Sequence, residues 1–179
     1  HKFIKAINNA FFRAALHGKT SVVEFLLGTG HIGPETFDKG FEGAAGTTGG
    51  TQLETTLFLY YTHRASSQSL NKRLYENENI SSDAIVTAFK RAVGGGGSIH
   101  AHKLGQPEIA ILLFEDGCIP LETINEAFLS AAQNGHDDVV ECMRKDRRIS
   151  SKSIGEAFAA AAGCGNSALM ESLYDTKRV

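Results

Sequence analysis

"AAQNGHDDVVECM" (131–143) repeats the pattern of "AALHGKTSVVEFL" (14–26): an alanine pair, a polar turn at Gly135 or Gly18, then a valine pair. Aligning the chain on its small-residue–phenylalanine pairs extends the echo to five places: Ala10-Phe11, Gly40-Phe41, Ala88-Phe89, Ala127-Phe128 and Ala157-Phe158. In the last four, an isoleucine stands eight residues earlier (Ile32, Ile80, Ile119, Ile149). In all five, an apolar residue stands three earlier (Ile7, Phe37, Ile85, Ile124, Ile154). A period of about thirty residues signals a solenoid, in which each unit is one supersecondary element.

Each unit reads as helix–turn–helix. Ile124, Ala127, Phe128 and Ala131 fall on one helical face. Gly18, Gly135 and Gly165 fall between the two helices, where a positive φ is cheapest for glycine. Ser-Ser, Gly-Pro or Pro-Leu after each isoleucine supplies a capping side chain or a first-turn proline. A lone helical hairpin cannot bury its apolar faces, so stacking against neighbours must do it, at roughly 1.5–3 kcal/mol per large side chain. The expected units are residues 2–31, 32–79, 80–118, 119–148 and 149–178, forming one all-α repeat domain.

Two units exceed the period. By likeness of "LNKRLYENENI" to "LMESLYDTKRV", the second helix of unit two begins at Leu70, displaced by eighteen residues. In unit three the matching stretch is "IAILLFEDGCI" (109–119), displaced by nine. Both insertions are thus expected in the turn between first and second helices.

"EAFLSAAQNGHDDVVECM" (126–143) resembles the two-helix part of an ankyrin repeat, whose pattern runs TPLHxAAxxGHxxVVxxLL. Ala131-Ala132, Gly135-His136 and Val139-Val140 match it, and "AFFRAALHGKTSVVEFLL" (10–27) matches nearly as well. Glu-Ala-Phe-Leu replaces Thr-Pro-Leu-His, the unit has thirty residues rather than thirty-three, and the Gly-rich finger between repeats is missing. The resemblance implies a divergent ankyrin-like stack that works as a non-enzymatic protein-interaction scaffold. In texture, the Ile-Ser-Ser starts and "AAGCG" turn also resemble repeats of secreted oomycete effectors of the RXLR type, which implies a host protein as partner and a secreted, translocated chain.

Composition narrows the function classes. Of 179 residues, 42% are hydrophobic, and 18 basic residues oppose 20 acidic ones, so nothing points to nucleic acid. The longest apolar run, Ile109 to Phe114, is too short to cross a bilayer. Cys118, Cys142 and Cys164 are odd in number and form no CxxC pair; they read as reduced, small core residues. The chain has no starting methionine or signal peptide and reads as an excised or processed piece. Val179 stands where a sixth unit would begin, so the array is expected to continue.

Three places are candidates for partner binding. In the first insertion, residues 46–66, a short helix from Leu53 to Tyr61 would present Leu57, Phe58, Tyr60 and Tyr61 as anchors, with His63 and Arg64 at its polar end. The same aromatics would alternatively cap the neighbouring core. The second insertion, "GGGGSIHAH" (94–102), reads as a native tether or an introduced linker, and the residues leave both open. His100 and His102 make half a metal site at most and are expected to be solvated. A phosphate loop is not indicated, because a helix precedes the glycines and no Gly-Lys-Ser follows. Third, residues two and three past each small residue form a column on the first helices, with Arg13, Glu42, Lys90 and Arg91 as its charged members. His136, Asp137 and Cys142 occupy ordinary repeat positions, so no catalytic constellation or cofactor is expected. The alternative to a scaffold is a structural, self-assembling array; in solution the chain is expected as a monomer or weak dimer.

Overall fold

The computed structural model describes residues 2–46, 50–68, 80–94 and 106–175. These form ten α-helices, and no strand occurs among the described residues. None of the helices is long and apolar enough to cross a membrane. The chain divides into two compact units, residues 1–88 and 89–179.

In the first unit, α1 (Lys2–Leu16) and α2 (Thr20–Gly28) form one pair, and α3 (Pro34–Ala45) and α4 (Gly50–Gln68) a second. The apolar spacing of α1 buries Ile7, Phe11, Ala14 and Ala15 on one face, which packs against α3. Phe11 stacks on Phe37 with ring centroids 6.2 Å apart. Gly40 is where α3 crosses this ring, since a Cβ there would lie 2.6 Å from Phe11 Cε1. Gly18 turns α1 into α2 with φ +65°, and a Cβ on it would meet Thr51 backbone at 2.6 Å. Only glycine meets both demands. The helix α5 (Ser82–Ala92) runs through the division between the units.

In the second unit, α6 (Pro107–Glu115) packs against α8 (Asp137–Met143), and α7 (Leu121–Asn134) packs against α8 and α9 (Ser151–Gly163). The last helix, α10 (Ser167–Tyr174), packs on α9. Gly135 closes α7 in a left-handed conformation at φ 73°, as a helix C-terminus favours. Asn166 caps α10, its side chain accepting from Leu169 N–H. Phe128, Ile109, Leu113, Ile124, Met143, Ile149 and Ile154 are fully buried. The Arg148 guanidinium lies 4.6 Å from the Phe114 ring centroid and pairs with Asp146 at 2.9 Å.

One polar junction occurs in both units. Two residues before the small residue of one pair, a side-chain oxygen accepts the backbone N–H of the serine seven before that of the next. Ser81 N–H donates to Asp38 Oδ1 at 2.9 Å, and Ser150 N–H donates to Asn125 Oδ1 at 2.9 Å. Each serine also caps its own helix, accepting from Ala84 N–H at 3.1 Å and from Ser153 N–H at 3.0 Å. Asn8 has the corresponding place in α1; its Oδ1 is buried without a hydrogen bond among the described residues.

Several expectations are corrected. Within residues 46–66, where a short helix from Leu53 to Tyr61 is expected, α4 is longer: it runs nineteen residues and packs on α1, α2 and α3. It begins ten residues after Gly40, as α2, α8 and α10 begin ten after Ala10, Ala127 and Ala157. Leu70 lies outside the described residues, as does most of residues 94–102. Pro120 precedes α7 as its N-cap residue rather than sitting in its first turn. Cys118 and Cys164 are exposed rather than core residues, because they follow the C-terminal ends of α6 and α9, where the chain turns at the surface.

Candidate interaction surface

On the first unit, α4 carries the aromatic candidates, and its placement separates them. Tyr60 is 3% exposed and stacks on Phe41 with centroids 6.5 Å apart, so it belongs to the core rather than to a free surface. Leu57 and Phe58 are half-buried. Tyr61 is 56% exposed and meets Tyr60 edge-on at 5.7 Å, which holds the outward ring on a buried one. His63 and Arg64 lie in the same helix, and their side chains are outside the described residues. One turn and more before these rings, core positions are threonines: Thr55 and Thr56 are fully buried, each hydroxyl donating to the carbonyl four residues back. The Thr55 hydroxyl also shares a 2.8 Å hydrogen bond with that of Thr20.

The column on the first helices is continuous within this unit. Arg13 is exposed near the end of α1, and beside it Phe12 lies over Gly43, where a Cβ would approach its ring at 3.3 Å. Glu42 is half-buried on α3. The missing side chain at Gly43 lets the Phe12 ring lie down while leaving it partly exposed.

On the second unit the column forms a groove. Lys90 Nζ reaches Glu126 Oε2 at 2.9 Å, linking the end of α5 to α7. Beneath this pair, Val93, Ala127 and Ser130 complete the lining of a cavity of ≈ 200 Å³. Ser130 Oγ accepts a hydrogen bond from Asn134 Nδ2 at 3.3 Å. Arg91 is exposed on the same turn as Lys90. The surface is amphipathic: one salt bridge, one hydroxyl and small apolar groups. Exposed at about half of each side chain, the Lys90–Glu126 pair is screened and adds little stability. His100 and His102 lie outside the described residues.

The sequence does not by itself single out Glu126, Val93 or Ser130. A signal for them exists in the column, since Lys90 and Glu126 occupy nearby positions on successive first helices. His136, Asp137 and Cys142 do not come together as a reactive site. Asp137 accepts two hydrogen bonds from Asn166 Nδ2, at 2.8 and 3.0 Å. Burial, then the nearby carboxylates of Glu115 and Asp146, push the Cys142 thiol above its ordinary pKa, the opposite of nucleophile activation. Among the described residues, no cluster of His, Cys, Asp and Glu has a metal-binding arrangement. No family model, curated protein sequence or solved structure matches this chain.

Proposed function

We propose that this chain is a non-enzymatic protein-interaction scaffold of five ankyrin-like helix pairs, binding its partner through the exposed column of its first helices. The observation that carries this reading is the Lys90–Glu126 groove, an open amphipathic surface built from repeat positions that change character from unit to unit. Its ≈ 200 Å³ cavity is smaller than the roughly 300–1,000 Å³ of typical small-molecule sites and suits one inserted side chain of a partner. The recurring Asp38–Ser81 and Asn125–Ser150 junctions favour repeated pairs over unrelated helices. Exposed Arg13, Arg91 and Tyr61 supply further residue types favoured at interfaces. The likeness to oomycete effector repeats extends the proposal: the partner is a host protein and the native chain is secreted.

The test is affinity capture by the parent chain and by Lys90→Glu, which opposes two carboxylates at the groove. A captured protein present with the parent and lost with Lys90→Glu supports the reading. Equal capture by both, with both folded, overturns the groove as the binding surface.

A further inference from the structure

We infer that Ser150 is a phosphorylation site, the acceptor for a serine/threonine kinase that reads an arginine three residues before its target. The repeat frame separates what the junction needs at this place from what is added to it. The residue after each repeat isoleucine is Gly33, Ser81, Pro120 or Ser150. Where it is serine, the amide donates to the preceding helix pair and the hydroxyl caps its own helix, at Ser81 as at Ser150. Before Ser81 the chain runs Glu78-Asn79-Ile80; before Ser150 it runs Arg147-Arg148-Ile149. Since Ser81 makes the same junction with no cation ahead of it, the junction does not require the two arginines. Charge at a fixed spacing from the acceptor is how kinases select their substrates.

The structure presents the residues that such an enzyme would read. Arg147 is exposed, and its side chain makes no hydrogen bond or ion pair among the described residues. Arg148 is held instead, 2.9 Å from Asp146 and over the Phe114 ring, so Arg147 is the cation on offer. Ser150 is exposed too, at the end of the connection from α8 to α9, where residues 144–150 form neither helix nor strand. Ile149 between them is fully buried, so the hydroxyl enters a kinase site when this short connection lifts, a local opening that leaves the helices in place.

In the transfer, Ser150 Oγ forms a bond to the terminal phosphorus of a magnesium-bound nucleoside triphosphate. The bond from that phosphorus to the bridging oxygen breaks, its electron pair leaves with the nucleoside diphosphate, and the hydroxyl proton passes to the kinase's carboxylate base. The phosphate then stands at the N-cap of α9, a helix of thirteen residues, whose first-turn amides and dipole favour an anion there. Lys152 is exposed in the same first turn, 3.7 Å from Glu156, and adds a cation. The modified residue therefore keeps its capping role, and the junction survives the added charge.

The test is incubation of the full chain with the catalytic subunit of cyclic-AMP-dependent protein kinase and magnesium ATP, followed by mass-spectrometric mapping. One phosphate per chain is expected on Ser150, and none on Ser81, which has the same cap without the arginines. Arg147→Ala, which removes no bond of the fold, should lower kcat/KM by about tenfold or more, the loss of one charge-assisted contact. The phosphorylated chain should unfold in urea at a midpoint no lower than the parent's. A folded parent that takes up no phosphate overturns the proposal, as does phosphate on Ser81, Ser151 or Ser153 in place of Ser150. So does an Arg147→Ala rate equal to the parent's, or a lowered midpoint after modification.

Discussion

Replacing Asn125 by alanine removes a side chain with four hydrogen bonds at the junction of two helix pairs. Its Nδ2 donates to Leu121 O at 2.8 Å and Arg148 O at 3.0 Å, and its Oδ1 accepts from Ser150 N–H at 2.9 Å and Ser153 Oγ at 2.7 Å. Three of these four bonds tie α7 to the segment that opens α9. At about 1 kcal/mol net per bond, their loss costs about 3 kcal/mol. Alanine returns roughly 0.5–0.7 kcal/mol through its better helix propensity. The expected destabilisation of Asn125→Ala is therefore about 2 kcal/mol. Asp38→Ala removes one bond of the same kind, to Ser81 N–H, and should cost well under about 1 kcal/mol once the same propensity gain is counted. Urea unfolding followed by far-ultraviolet circular dichroism measures both. An Asn125→Ala midpoint equal to the parent's at unchanged slope, or a larger effect at Asp38, refutes the reasoning.

Gly18→Ala should destabilise by at least about 2 kcal/mol, since a left-handed backbone costs a side chain roughly 1–2 kcal/mol and Thr51 backbone lies in the way. Gly135→Ala, with the same conformation and open space, should cost only about 1–2 kcal/mol in the same urea titration. Phe128→Ala should cost about 3–5 kcal/mol, and Phe158→Ala distinctly less, because only the first ring is fully buried. In maleimide labelling near neutral pH, Cys118 and Cys164 should react before Cys142. The Cys142 thiol has a raised folded-state pKa, so the stability it contributes is present below the unfolded pKa and is lost as pH rises through the folded one.

The local signals of this fold are legible in the sequence. Spacing places Gly18, Gly135 and Gly165 in turns, and all three have positive φ. The small-residue–phenylalanine frame picks out rings of which four are fully buried. Apolarity alone does not register the full length of α4, because α4 puts Thr55 and Thr56 at buried positions. Threonine is admitted there because its hydroxyl finds a carbonyl one turn back, which no hydropathy pattern registers. The Asp38–Ser81 and Asn125–Ser150 junctions escape the same apolar frame, though aligning the units by their polar positions as well would expose them. Tyr60 and Tyr61 are adjacent aromatics with opposite fates, set by which side of α4 meets Phe41.

The most direct measurement of whether these helices are copies leaning on one another is native-state hydrogen exchange at the amides of Ser81 and Ser150. Both residues are exposed, yet both amides should be protected, each losing protection only when its own acceptor, Asp38 or Asn125, is replaced by alanine. Exchange of either amide at the rate of an unstructured peptide would contradict the repeated junction.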